Sequence, residues 1–219
     1  MSRQAAPSCP LCDTRQGRLF CIDARRGRRY RRCPDCRLTW LDPEQRPNPA
    51  RERAEYALHQ NDPADPGYRQ FLSRVADPLQ QQLQPGSQGL DYGCGPAAVL
   101  ADMLTAAGLP TTAYDPCFRA EPAALSGRYD FISCTETAEH FFHPGREFRR
   151  LTELLRPGGV LAVMTGRLTE DARFARWRYR HDPTHVCFYR DETFAWLEQH
   201  VGYSRVYRRG DVWIGRRLA

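Results

Sequence analysis

Four cysteines arranged in two pairs constrain this chain more than any other feature. Cys9 and Cys12, then Cys33 and Cys36, form C-x2-C, a twenty-residue gap and a second C-x2-C, the spacing at which four thiolates converge on one tetrahedral zinc ion. Pro10 and Pro34 stand first inside the pairs, where a fixed φ favours a tight knuckle. Between the pairs, Leu19–Ala24 reads as a strand, Arg25–Arg28 as a glycine-containing turn and Arg29–Arg32 as the returning strand. Residues 1–42 are too few to bury a sufficient apolar core, so zinc is expected to supply the missing stability. The other five cysteines, Cys21, Cys94, Cys117, Cys134 and Cys187, show no pairing rhythm, and an odd total of nine fits reduced thiols.

The chain as a whole has 219 residues, 41% of them hydrophobic and 26% charged, ordinary globular usage that argues against disorder. No window approaches the roughly 18 uncharged apolar residues of a membrane span. Met1–Pro10 is polar and lacks the apolar stretch of a secretory signal, so a cytoplasmic location is expected. The net charge of +6 invites a nucleic-acid partner, but all 32 basic residues are Arg and none is Lys. That pattern points to a chain-wide bias toward Arg, so net charge alone carries little. Asp42–Gly67 holds Pro43, Pro47, Pro49, Pro63 and Pro66 and reads as a linker or lid, residues 43–67, with a helix at Ala50–His59.

From Tyr68 to the end, residues 68–219, apolar runs alternate with helical stretches. Strands are expected at Gly89–Tyr92, Thr111–Tyr114, Tyr129–Cys134 and Val160–Met164, and helices at Tyr68–Leu83, Ala97–Ala107, Glu147–Leu155 and Glu192–His200. This alternation implies right-handed crossovers and a parallel α/β sheet. Ser204–Arg208 and Val212–Gly215, joined through Gly210 and Asp211, read as an antiparallel hairpin at the sheet edge.

The segment from Gly89 to Ala98 runs from strand into a glycine turn and then a helix. It matches G-x-G-x-x-A, yet Asp91 stands two positions before Gly93, where it would repel a pyrophosphate and welcome a cation. S-adenosylmethionine, a sulfonium with an ammonium group and no phosphate, suits such a turn. Asp115 closes the second strand twenty residues after Gly95, a spacing that lets an acidic side chain accept from ribose hydroxyls; a turn residue before Pro116 is the alternative.

Downstream come Tyr129-Asp130-Phe131-Ile132, then Glu139-His140, then Leu155-Arg156-Pro157-Gly158-Gly159. With D-x-G-x-G and the acidic second strand, this ordered set resembles the class I S-adenosylmethionine-dependent methyltransferase family over about Tyr68–Leu218. The resemblance implies a Rossmann-like, doubly wound seven-stranded sheet ordered 3-2-1-4-5-7-6 with strand 7 antiparallel. It also implies a glycine turn (Asp91, Gly93, Cys94, Gly95) that holds the methionine moiety, Asp115 and Pro116 at the ribose, and Cys134 and Thr135 beside the cofactor. Two departures stand out: Ala97 replaces the third glycine, and a third strand is hard to find between Ala120 and Arg128.

Since the sulfonium donor is already activated, a general base is optional. Candidates are Glu136, Glu139, His140 and His143 after the fourth strand, and His181, Asp182 and His185 in the Arg178–Tyr189 insert, with Glu136, His143 and His181 preferred. The Glu139-His140 pair is expected to position more than react. A second metal on His181 and His185 is rejected because Pro183 interrupts a helix there. Tyr68 is expected to cover the methionine arm, Arg69 to reach its carboxylate, and His59 and Asn61 to act from the lid.

Nine Arg and only Asp23 and Asp35 lie between residues 15 and 37, with Phe20, Tyr30 and Trp40 nearby. Such a ribbon could grip RNA. Tyr30-Arg31-Arg32-Cys33-Pro34-Asp35-Cys36 also resembles N-terminal zinc modules of small-molecule and sugar methyltransferases, which implies a structural or capping role. The leading expectation is therefore a methyltransferase acting on a small-molecule acceptor. The same chemistry on ribosomal or transfer RNA and a non-catalytic cofactor-binding module are the alternatives; a nicotinamide dehydrogenase is least favoured.

Overall fold

The structure, a computed structural model, describes residues 7–58 and 62–219. A small antiparallel sheet comes first: β1 (Arg18–Asp23), β2 (Arg28–Arg32) and β3 (Thr39–Leu41). Two helices follow, α1 (Pro49–Tyr56) and α2 (Pro66–Gln80). Asn48 caps α1 by accepting from Arg51 N, and Asp65 accepts from Gly67 N at the start of α2. His59 and Asn61, expected in the lid, lie outside the described residues.

The main sheet contains β4 (Gly89–Tyr92), β5 (Thr111–Tyr114), β6 (Tyr129–Thr135) and β7 (Leu155–Met164), interleaved with α3 (Val99–Ala106) and α4 (Pro144–Leu154). It continues, after β8 (Cys187–Phe188) and α5 (Asp191–Leu197), with β9 (Tyr203–Arg209) and β10 (Val212–Arg217). The strand order is β5-β4-β6-β7-β10-β9. β4, β5, β6 and β7 pair in parallel, whereas β10 runs antiparallel to both β7 and β9.

That order reproduces the expected doubly wound topology with one correction: six strands are described in this sheet, not seven. Where the outermost strand was expected, Pro122–Leu125 forms a 3-10 turn. The stretch from Phe118 to Arg128 has no β-branched residue and carries Pro122, so it offers neither strand propensity nor an unbroken row of donors for β5.

Alternation along the central strands splits the core into two faces. Val160, Ala162 and Met164 of β7, with Val212 and Ile214 of β10, pack under α2 and α3 against Leu72, Val75, Leu79 and Leu104. Leu161, Val163 and Trp213 face the opposite way, toward Phe148 and Leu151 of α4 and Phe194 of α5. The same second core takes in Leu11, Tyr30, Leu38 and Trp40 of the N-terminal sheet. That sheet draws its fourth strand from β8, through Thr39 opposite Phe188 and Trp40 opposite Cys187. Metal is thus not the sole source of stability for residues 7–42, because Leu11, Tyr30, Leu38 and Trp40 are buried in a core shared with the larger sheet. No helix among the described residues is long and apolar enough to cross a membrane.

Candidate active site

β4 ends in a turn built from left-handed backbone. Gly93, Gly95 and Ala98 have φ of 80°, 66° and 50°, and α3 starts directly after Ala98. A Cβ on Gly93 would lie 2.3 Å from the Thr137 side chain, so the position is closed to any larger residue on grounds of both conformation and space. Gly93 N and Cys94 N donate to the Tyr114 carbonyl at 2.8 and 3.1 Å, tying the turn to the end of β5.

Two carboxylates frame this turn. Asp91 is 2% exposed and accepts from Ser133 Oγ at 2.7 Å. Burial lifts its pKa to about 6, with Ser133 opposing the rise and Asp115 adding to it. Asp115 accepts from Gly95 N through Oδ2 at 3.1 Å, and from Cys117 N and Phe118 N through Oδ1 at 2.8 and 3.1 Å. Asp115 thus shapes the turn that follows it, and the same side chain also braces the glycine turn at the rim of the cavity.

A single cavity of about 720 Å³ opens beside the turn, within the roughly 300–1,000 Å³ range of ligand pockets. Asp91, Gly93, Cys94, Gly95, Asp115 and Pro116 line one side. Tyr68, Thr135, Glu136 and His143 line it as well, together with Glu139, His140, Asp182 and His185. Three expected residues do not. Arg69 is exposed on α2 and donates to the Pro63 carbonyl at 3.4 Å. Cys134 is fully buried in the core of β6. His181 ends the 3-10 turn Arg178–His181 and lies near Arg26 and Asp23 of the β1–β2 hairpin and beside Arg180 of its own turn. Pro183 and the following turn bring His185 to the cavity in its place.

Sequence reasoning missed Tyr56, Thr137 and Tyr179, which also line the cavity. Tyr56 ends the helix foreseen within the lid, and Tyr179 lies two residues before His181 in the insert already singled out. Their side-chain directions had no signal in the chain. Tyr179 Oη accepts from Gly166 N at 2.9 Å and stands 3.1 Å from Thr165 Oγ1.

The titrating groups on the wall differ in state. Glu136 sits in the left-handed region with φ of 46°, and burial together with the facing Glu139 and Asp211 pushes its pKa well above the ordinary carboxyl range. That shift favours the protonated carboxyl in the free protein. His143 is shifted the other way: partial burial, then Arg46 and Arg146, lower its pKa, which leaves a neutral imidazole at pH 7 able to accept a proton. Burial likewise lowers His185.

The cysteine quartet forms a second centre. Cys9 Sγ lies 3.5 Å from Cys36 Sγ and Cys12 Sγ 3.4 Å from Cys33 Sγ, and all four sulfurs fall within 4.8 Å of one another. A tetrahedral zinc ion with bonds of about 2.3 Å spaces its sulfurs about 3.8 Å apart, so the cluster fits the ion. Each knuckle is closed by a left-handed residue just past it, Asp13 and Arg37, both with φ of 61°. Arg26, Arg28, Arg29, Arg31 and Arg32 are engaged inside the chain: with Asp23, with the carbonyls of Asp182 and Pro183, with Asp42, again with Asp42, and with Asp171.

A family model described as a methyltransferase domain matches residues 57–207. No curated protein matches the chain. Among solved structures, similarity extends to a Burkholderia thailandensis 1,6-didemethyltoxoflavin-N1-methyltransferase with bound 1,6-didemethyltoxoflavin and S-adenosylhomocysteine. There the identity is 17%, 92% of this chain and 100% of that chain are covered, and the TM-score is 0.59. The N-methyltransferase NodS of Bradyrhizobium japonicum, in complex with S-adenosylhomocysteine, is similar at 16% identity over 77% of this chain and 98% of that one, TM-score 0.54. An O-methyltransferase family protein from Burkholderia thailandensis is similar at 16% identity and TM-score 0.50; 68% of this chain spans 57% of that longer one. At these identities the likeness is one of fold.

Proposed function

We propose, from the premise that this chain belongs to the class I S-adenosylmethionine-dependent methyltransferases, that it methylates a small organic acceptor enclosed in the cavity, with the zinc ribbon as a structural wall. The observation that carries this is the single cavity running from the glycine turn to Glu136, His143 and His185. A donor at the turn and an acceptor on the opposite wall would share one water-poor space.

The residues present fit the cofactor. When bound, S-adenosylmethionine supplies a methyl group on a sulfonium, already activated for in-line transfer. Gly93 and Gly95 supply the left-handed backbone of the turn beside the cavity, while buried Asp91 would offer negative charge where a cation docks. Asp115 and Pro116 would meet the ribose, and Tyr68, half-buried above Asp91 and Glu136, would shield the methionine arm. His143 is the residue to take a proton from the acceptor. Glu136, protonated in the free protein, would donate a hydrogen bond or ionise beside the incoming cation. The similar structures named above are N- and O-methyltransferases, which supports a small acceptor without choosing its atom.

The arginine pairs support the capping role of the ribbon over an RNA-reading one. Arg28 and Arg32 reach across to the Asp182–Pro183 and Asp171 segments instead of presenting their charge to solvent, and the Arg180–Asp23 pair, 2.7 Å long with both side chains buried, holds the ribbon to the turn ahead of His185.

Calorimetry with S-adenosylhomocysteine tests the reading. Wild type should bind, and Asp91→Asn should bind at least about tenfold more weakly, a loss of about 1.4 kcal/mol. No binding, or undiminished binding by the variant, sinks it. Steeply salt-dependent RNA association lost on neutralising Arg25, Arg26, Arg28 and Arg29 would instead favour an RNA acceptor.

A further inference from the structure

Glu139, His140 and His185 meet on the acceptor wall in a way that the methyl-transfer reading does not use. Glu139 lies in the 3-10 turn Ala138–His140 and is 0% exposed. Its Oε2 accepts from Thr165 Oγ1 at 2.7 Å, but Oε1, equally buried, accepts from no described residue. A buried carboxylate oxygen left without a partner is costly. The atoms nearest to it among the ion-pair contacts are two imidazole nitrogens, His185 Nε2 at 3.9 Å and His140 Nε2 at 4.0 Å. Both gaps are too long for hydrogen bonds.

The two rings are already oriented. His140 Nδ1 stands 3.2 Å from the Thr184 carbonyl and His185 Nδ1 2.6 Å from the Tyr179 carbonyl. A carbonyl only accepts, so each Nδ1 carries a proton, and each ring in its neutral form turns its Nε2 lone pair toward Glu139. This carbonyl-to-imidazole support is the arrangement that fixes metal-ligating histidines. The three ligand atoms lie within 4.8 Å of one another, and all three residues line the cavity. Asp182 Oδ2 adds a carboxylate 3.8 Å from His185 Nε2. A cation bonded at about 2.1 Å to nitrogen and oxygen spaces its donors about 3.4 Å apart in a tetrahedron, so the two Glu139–imidazole distances of 3.9 and 4.0 Å would each close by about half an ångström.

We propose that Glu139, His140 and His185 form a divalent transition-metal site on the acceptor wall, separate from the cysteine cluster, whose open positions face the cavity. Two imidazoles and one carboxylate select a first-row transition ion over magnesium or calcium. An oxygen of the acceptor coordinated there would be polarised and more easily deprotonated. That last role rests on the proposed function; the site itself does not.

Cobalt(II) is the probe, because its absorption tells thiolate from nitrogen and oxygen ligands. Full-length protein with zinc on the cysteine cluster should take up one further equivalent of cobalt, with ligand-field bands and no thiolate charge-transfer absorption. Glu139→Gln and His185→Ala should each weaken uptake at least about tenfold, with zinc content and S-adenosylhomocysteine affinity retained. His181→Ala, whose side chain lies outside the cavity, should match wild type. If His185→Ala fails to fold, His185→Asn takes its place. No uptake by wild type, which would mean that ordered water fills the gap, overturns the site, as does uptake only on thiolates or uptake that survives both substitutions. Failure to bind S-adenosylhomocysteine would defeat the donor reading alone, since the cobalt titration does not depend on it.

Discussion

Asp91 shows how a single side chain can both weaken a fold and equip it. Its carboxyl titrates at about 6 in the folded chain, against about 3.9 in an unfolded one, so between those values the folded state holds the extra proton. Stability from this group is therefore highest below pH 4, declines as pH rises through 6, and stays low above. The two-unit gap corresponds to about 3 kcal/mol. Asp91→Asn is expected to be more stable than wild type in urea at pH 7.5, by up to that amount, with the advantage vanishing near pH 4. A pH-independent difference between the two would contradict this account. On the proposed reading, the cost is that of an ionised group kept ready for a cationic ligand.

At the scale of elements, the first cysteine knuckle and the start of α4 form one unit. Gly145 N donates to the Pro10 carbonyl at 3.1 Å, and a Cβ on Gly145 would lie 2.4 Å from the Leu11 carbonyl oxygen. Backbone on both sides leaves nowhere to yield. Gly145→Val is expected to cost about 1–3 kcal/mol in chemical denaturation and to speed the loss of zinc to a chelator, because the displaced turn carries Cys9 and Cys12. Unchanged zinc release would show that the knuckle is independent of α4. Most of these elements were readable in the chain: β4 and β5 occur at the expected residues, and Pro49 and Pro66 open α1 and α2 as first-turn prolines do. The missing outer strand was foreshadowed by the weak segment from Ala120 to Arg128. β8 had no such signal, since two residues carry no periodicity and pair only because β3 is at hand.

For the whole molecule, the ribbon and the catalytic sheet share one apolar core and one buried ion pair. Arg180 donates to Asp23 at 2.7 Å and to the Phe174 carbonyl at the same distance, and removing one partner of a buried pair strands the other, at about 3–5 kcal/mol. Asp23→Ala should therefore destabilise the protein by that order, and by hydrogen exchange it should loosen residues 178–185 while β4 stays protected. Zinc removal should loosen the same segment together with residues 9–42. Equal loosening everywhere would mean that the ribbon is not a wall of the site but only a piece of the global fold.

Local chemistry was legible from end to end. Cysteine spacing, the glycine turn with its guarding carboxylate and the alternation of strand and helix are written in neighbouring residues, where covalent distance limits what the backbone can do. Contacts between distant segments were another matter. That His185 and not His181 reaches the cavity, that Cys134 is sealed in the core, and that the ribbon arginines spend their charge on Asp42, Asp171 and the Asp182–Pro183 carbonyls depend on which segments pack together. Such packing follows from burial summed over the entire chain, and no short window of residues contains it.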